Sequence, residues 1–168
     1  MRRVLVEARA ILVLAGESQQ PFGGVLRLFA ISTLGPYVFP GMLHDLRGHY
    51  PGLSVILGEG KTDDLLSALL KGDFDVTLIS THRPEAAVSE MAIFREPFVL
   101  ACPEDHPACA PGGSGWDGLT ARERLLLDEG HCLRDQALAV SDGIAPSNRH
   151  ATSLETLKYM VAAGEGCT

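Results

Sequence analysis

A chain of 168 residues is long enough to bury a substantial core, as one domain or two small ones. Its 46% apolar and 21% charged residues are ordinary for a soluble globular protein. A formal net charge of −7 argues against direct nucleic-acid binding by this segment, and no helix-turn-helix pattern, zinc-finger spacing or basic run supplies a local exception.

Met1-Arg2-Arg3 followed by apolar residues imitates a signal peptide. Glu7 and Arg9 break the run, and the stretch from Ala10 to Ala15 is too short for a signal core or a membrane span. Val4, Ala8, Ile11 and Ala15 share one face of a helix, so a packing helix and a cytoplasmic protein with no membrane partner are expected. Gly16 to Gly24 reads as a linker. Val25 to Ile31 reads as a strand, and Gly35-Pro36 opens a helix with Val38, Met42, Leu43 and Leu46 on one face, closed by Gly48. A strand over Leu53 to Leu57, a helix over Asp63 to Leu70 and a strand over Phe74 to Ile79 follow. Alternating strands and helices imply parallel strands with helical crossovers, an α/β sheet.

From Met91 the pattern restarts. Short apolar segments at 92–94 and 98–101 precede a loop from Pro103 to Gly118 broken by Pro and Gly clusters. Leu125 to Leu127 reads as a strand and Cys132 to Val140 as a helix. Thr152 with Glu155 three residues on reads as a capping box opening a helix through Leu157, Met160 and Val161, stopped by Gly164. Glu165 to Thr168 looks like the entry to another strand. The expected organisation is a helical segment over 1–17, a first lobe over 18–94 and a second, incomplete lobe over 95–168.

Cys102, Cys109, Cys132 and Cys167 are too few and scattered for a disulfide scaffold, and no C-x-x-C pair suggests zinc. A reduced compartment with one cysteine of special chemistry fits better. His44, His49, His82, His106 and His150 show no metal-ligand spacing and read as surface or loop residues, so no metal or other cofactor is expected. Cys132 stands apart. It opens a helix after a polar turn, beside His131 and near Arg134, three features that favour thiolate over thiol. The alternative, an inert small hydrophobe, would have apolar neighbours on both sides, which Cys132 lacks.

The stretches 28–37, 49–55, 59–66, 71–79, 151–157 and 161–166, taken in order, resemble the effector-binding domain of LysR-type transcriptional regulators. Within it, Gly130-His131-Cys132-Leu133-Arg134-Asp135-Gln136-Ala137 resembles the peroxide-sensing motif of the OxyR branch. The resemblance implies two Rossmann-like lobes of the type II periplasmic-binding-protein-like fold, here C-terminally incomplete. It also implies a homo-oligomer (dimer or tetramer), DNA contact only through a winged helix-turn-helix not in this sequence, and RNA polymerase as a partner.

By resemblance Cys132 is the peroxidatic cysteine that hydrogen peroxide oxidises, with Thr33 and Thr62 as hydroxyls that hydrogen-bond the peroxide. Thr33 and Thr62 also read as helix N-caps, a role compatible with ligand binding. His131 is a candidate to tune the cysteine or donate to the leaving oxygen. Arg134 and Asp135 are supporting residues that would otherwise pair with each other or cap the helix. Ser141 departs from the pattern, since two-cysteine members carry a resolving cysteine at this spacing. Cys132 then stops at sulfenic acid or a mixed disulfide, or pairs with Cys102, Cys109 or Cys167, or peroxide is not the signal. A LysR-type domain binding a small metabolite and a one-cysteine thiol peroxidase are the competing functions, the second weakened because no peroxidase motif precedes Cys132.

Overall fold

The computed structural model describes residues 22–83, 87–140 and 149–168. The helix expected over Val4 to Ala15, most of the linker after it, and Ser141 lie outside the described residues. The chain divides into two compact units, one ending at Val88 and the other running from Ser89 to Thr168.

The first unit contains β1 (Gly24–Ile31), α1 (Gly35–His49), β2 (Leu53–Gly60), α2 (Thr62–Lys71) and β3 (Val76–Leu78). β1 lies between β2 and β3, and both pairings are parallel, as helical crossovers require. Pro36 sits in the first turn of α1, where its missing N–H costs nothing. Phe39, on the inner face of α1, packs with Leu28 and Ala30 of β1 into the core of this unit. α2 stops at Gly72, whose φ of 75° lets the chain turn left-handed while its amide and that of Asp73 satisfy the last carbonyls.

The third strand is shorter than the sequence suggests. β3 pairs with β1 only over Leu28 to Ala30, because the residues before it do other work. Asp75 accepts a 2.8 Å hydrogen bond from the Arg27 amide, and Phe74 is buried with its ring stacked 4.1 Å from that of Phe29.

The second unit contains a 3-10 turn (Pro107–Cys109), β4 (Leu126–Leu127), α3 (Cys132–Val140), β5 (His150–Ala151) and α4 (Leu154–Ala162). β4 pairs in parallel with β5, and Arg124 pairs with Cys167. Ala101 and Thr168 exchange backbone hydrogen bonds of 2.8 and 3.0 Å, so the 98–101 segment meets the 167–168 segment without a full ladder. Leu125, Leu127, Ala151, Leu157 and Val161 form the core beneath α4.

The capping box is displaced by one residue. Ser153, not Thr152, is the N-cap of α4, and its Oγ accepts from the Thr156 amide at 3.2 Å. Ser153 has the extended backbone an N-cap needs, and Glu155 pairs with Lys158 at 2.8 Å. The fold is mixed α/β in both units, as the alternation of periods predicts.

Candidate functional site

β4 ends at Leu127, and the chain then turns through Gly130, whose φ of 86° is the left-handed conformation glycine tolerates best. His131 follows, and Cys132 is the first residue of the nine-residue α3. The amides of Arg134 and Asp135 turn back onto the His131 carbonyl at 3.0 and 3.5 Å, which starts the helix there. Cys132 and His131 are each 8% exposed. The sulfur therefore sits inside the unit at the helix end where the macrodipole favours negative charge.

Arg134 has a structural task the sequence did not reveal. Its Nη1 donates to the Leu127 carbonyl at 2.8 Å, tying the first turn of α3 to the last residue of β4. No ion pair joins it to Asp135 among the described residues, and Asp135 is exposed, so the alternative in which the two simply pair is not what the structure shows. His150, read as a loop residue, begins β5 and places Nε2 3.2 Å from Asp128 Oδ1, at the turn that leads to Cys132.

Thr33 and Thr62 belong to the first unit. β1 and β2 run in parallel and end together, with the Ser32 amide on the Gly60 carbonyl at 3.3 Å, so Thr33 and Thr62 lie at one carboxyl edge of the sheet. That edge is where open α/β sheets bind ligands. The capping role is not observed at either residue. Leu34 is the N-cap of α1 and Lys61 that of α2, neither with a side-chain cap, and Thr62 is already helical. Thr62 is 3% exposed, and its Oγ1 has no hydrogen-bond partner among the described residues. Thr81, which sequence reasoning missed, follows β3 at the same edge with its hydroxyl likewise unpartnered. Only the strand order brings it there.

The cysteines depart from expectation. Cys102 and Cys109 are joined in a disulfide, so neither is a partner for Cys132 in this state. Cys167 keeps its thiol and is fully buried, and that burial, with the Glu123 charge second, pushes its thiol above the ordinary range. Glu123 is pulled the other way, chiefly by hydrogen bonds from the Thr120 hydroxyl and amide at 2.6 and 2.7 Å. His106, expected to have no metal-ligand company, groups with Cys102 and Cys167. Spacing could not show this, because Cys167 arrives from the far end of the chain.

Residues 19–168 match the family model described as LysR substrate binding domain. The chain belongs to this LysR family. A regulator of Escherichia coli K12 described as "DNA-binding transcriptional dual regulator OxyR" is 37% identical over 174 residues, covering 99% of this chain and 56% of that protein. A "Probable hydrogen peroxide-inducible genes activator" of Streptomyces viridosporus is 40% identical over 172 residues, covering 99% and 55%. The LysR-family chain thus spans little more than half the length of these curated relatives. Among solved structures, the reduced form of OxyR is 37% identical with a TM-score of 0.75, covering 89% of this chain and 71% of that one. The OxyR C206S mutant of Corynebacterium glutamicum, H2O2-bound, is 30% identical with a TM-score of 0.73, covering 99% and 54%. These neighbours carry the periplasmic-binding-protein-like fold of OxyR regulatory domains. Among the described residues no helix is long and apolar enough to cross a membrane.

Proposed function

We propose that this LysR-family domain is a redox sensor in which hydrogen peroxide oxidises Cys132. The observation that carries the reading is the placement of Cys132 as the first residue of α3, behind the Gly130 turn and braced by Arg134 on the Leu127 carbonyl. The thiolate sulfur attacks one peroxide oxygen, the O–O bond breaks, and hydroxide leaves and takes a proton to become water. Cys132 is left as sulfenic acid, and a small thiol converts it to a mixed disulfide with loss of a second water. His131, buried beside the sulfur in sequence, is the proposed donor to the leaving oxygen. Thr33 and Thr62 are the ligand-binding hydroxyls of the first unit, and Asp135 supports α3 from its exposed side.

In this reading the domain works in the cytoplasm as part of a homo-oligomeric transcription regulator. DNA contact belongs to a winged helix-turn-helix outside this sequence, with RNA polymerase downstream. Oxidation alters the geometry of the DNA-bound oligomer. The domain is a sensor and not an enzyme, so it turns over once per oxidation.

Stoichiometric peroxide, a sulfenic-acid trapping reagent and peptide mass spectrometry test the proposal together. Cys132 is expected to be modified well before Cys167, and the Cys102–Cys109 pair not at all while it stays oxidised. Equal, slow labelling of every cysteine would sink the sensor reading. Sustained peroxide consumption with a thiol reductant would turn it into an enzyme.

A further inference from the structure

The second unit also gathers donors that the Cys132 chemistry leaves unused. We propose that Cys102, His106, Cys109 and Cys167 form a redox-gated site for a thiophilic divalent cation of tetrahedral preference, zinc foremost. The site is open when Cys102 and Cys109 are thiols and closed when they are a disulfide.

The donor atoms of Cys102, His106 and Cys167 all lie within 4.8 Å of one another. Zinc bound by sulfur at about 2.3 Å and nitrogen at about 2.0–2.1 Å places its tetrahedral ligands roughly 3.3–3.8 Å apart. The three donors are thus within about an ångström of ligating distances before any ion enters. Cys109 supplies the fourth once its bond to Cys102 opens, and three cysteines with one histidine are a standard closed set for structural zinc.

The fold explains how residues so far apart in sequence converge. His106 is the N-cap of the 3-10 turn, with Nδ1 accepting from the Ala108 amide at 3.3 Å, and Cys109 closes the same turn. Cys167 is brought in by backbone pairing on both sides. It bridges Arg124, and its neighbour Thr168 exchanges hydrogen bonds with Ala101, next to Cys102. Around it, Ala108 and Leu119, with the partly buried Leu100 and Trp116, form an apolar wall. Glu123 Oε1 stands 3.6 Å from His106 Nε2, the side from which a carboxylate orients a ligating imidazole, so Nδ1 is the ligating nitrogen and exchanges its 3.3 Å hydrogen bond from the Ala108 amide for the ion. Cys167 taken alone would be core packing; with a histidine and two more sulfurs beside it, packing leaves the other three unexplained.

The chemistry closes. A dithiol or phosphine reductant supplies two electrons, and two protons from water complete two thiols as the Cys102–Cys109 bond breaks. Zinc then displaces three thiol protons, forming three Zn–S bonds and one Zn–N bond. In reverse, hydrogen peroxide takes two electrons from the Cys102 and Cys109 thiolates and two protons from solvent. It leaves as two waters while the disulfide re-forms and the ion departs. The proposal does not depend on peroxide sensing by Cys132, and its test separates the two.

The full chain, reduced without air by a phosphine and desalted, is titrated with Co(II) and then Zn(II). One equivalent of cobalt should give the visible bands of a tetrahedral site and thiolate-to-cobalt charge transfer, bleached by one equivalent of zinc. The disulfide form should give neither. Cys132→Ser should leave the spectra unchanged, whereas Cys109→Ser and His106→Gln should weaken zinc binding about tenfold or more. Cys109 is exposed, so its substitution reports on ligation and not on folding, even if Cys167→Ser fails to fold. A reduced chain that binds no tetrahedral cobalt overturns the proposal, as does affinity that is undiminished in Cys109→Ser or lost in Cys132→Ser.

Discussion

Thr62→Val should make the protein more stable and its peroxide response weaker. Thr62 is 3% exposed at the start of α2, and its hydroxyl has no hydrogen-bond partner among the described residues. A buried, unsatisfied hydroxyl costs about 1–3 kcal/mol, and valine replaces it with a methyl of similar size. Both residues are β-branched, so the helix loses nothing in propensity or rotamer freedom. Taking the lower part of that range for imperfect isosterism gives a gain of about 1–2 kcal/mol. For a chain of this size that is roughly 2–8 °C in Tm. Thermal and urea unfolding measure the gain, and the fraction of Cys132 oxidised by a fixed dose of peroxide measures the response. If Thr62→Val destabilises, the hydroxyl has a structural partner and the reasoning fails. If stability rises and peroxide oxidation is unchanged, Thr62 is not a ligand-binding residue.

Arg134→Met removes the hydrogen bond from the guanidinium to Leu127 while keeping the apolar stem. The bond is part-buried, so the loss should be about 1–2 kcal/mol in urea unfolding, with slower modification of Cys132 by peroxide. Unchanged oxidation would mean that the first turn of α3 holds Cys132 without Arg134. Ser141→Cys supplies a thiol where two-cysteine relatives by resemblance carry one. Peroxide should then join Cys132 to the introduced thiol in an intramolecular disulfide, read by mass spectrometry as a loss of two hydrogens, where the unsubstituted chain gives sulfenic acid. A persistent sulfenic acid in that variant would refute the inferred spacing.

The elements were legible wherever one period dominates. α3 begins at Cys132 as the sequence predicts, because a glycine turn and a polar first turn mark its start. β1 was equally clear, an apolar run interrupted only by Arg27. What was not legible lies in contacts remote in sequence. The shortening of β3 depends on Asp75 meeting Arg27, and the bracing of α3 on Arg134 meeting a β4 carbonyl. The capping box failed for a local reason, since Thr152 and Ser153 are adjacent candidates and the backbone chose the serine. The site divided the same way. The place of Cys132 at the start of α3 could be read from its neighbours, whereas the grouping of Cys102, His106 and Cys167 needs two strand-like pairings that no spacing rule encodes.

The fate of oxidised Cys132 follows from where the other sulfurs are. A sulfenic acid is resolved by a thiolate that can reach it. Cys102 and Cys109 hold each other as a disulfide, and under reducing conditions the proposed ion would hold them as ligands. Cys167 is fully buried and kept as thiol above the ordinary range by that burial, so it attacks poorly. Position 141 is serine. In the proposed function every thiol other than Cys132 is therefore engaged or protonated, and resolution of a Cys132 sulfenic acid would turn outward to a small soluble thiol. A mixed disulfide adds bulk and charge at the buried start of α3, where a hydrogen bond from Arg134 sets the geometry. A switch of that kind resets with the cell's thiol pool instead of waiting for an internal bond to be reduced.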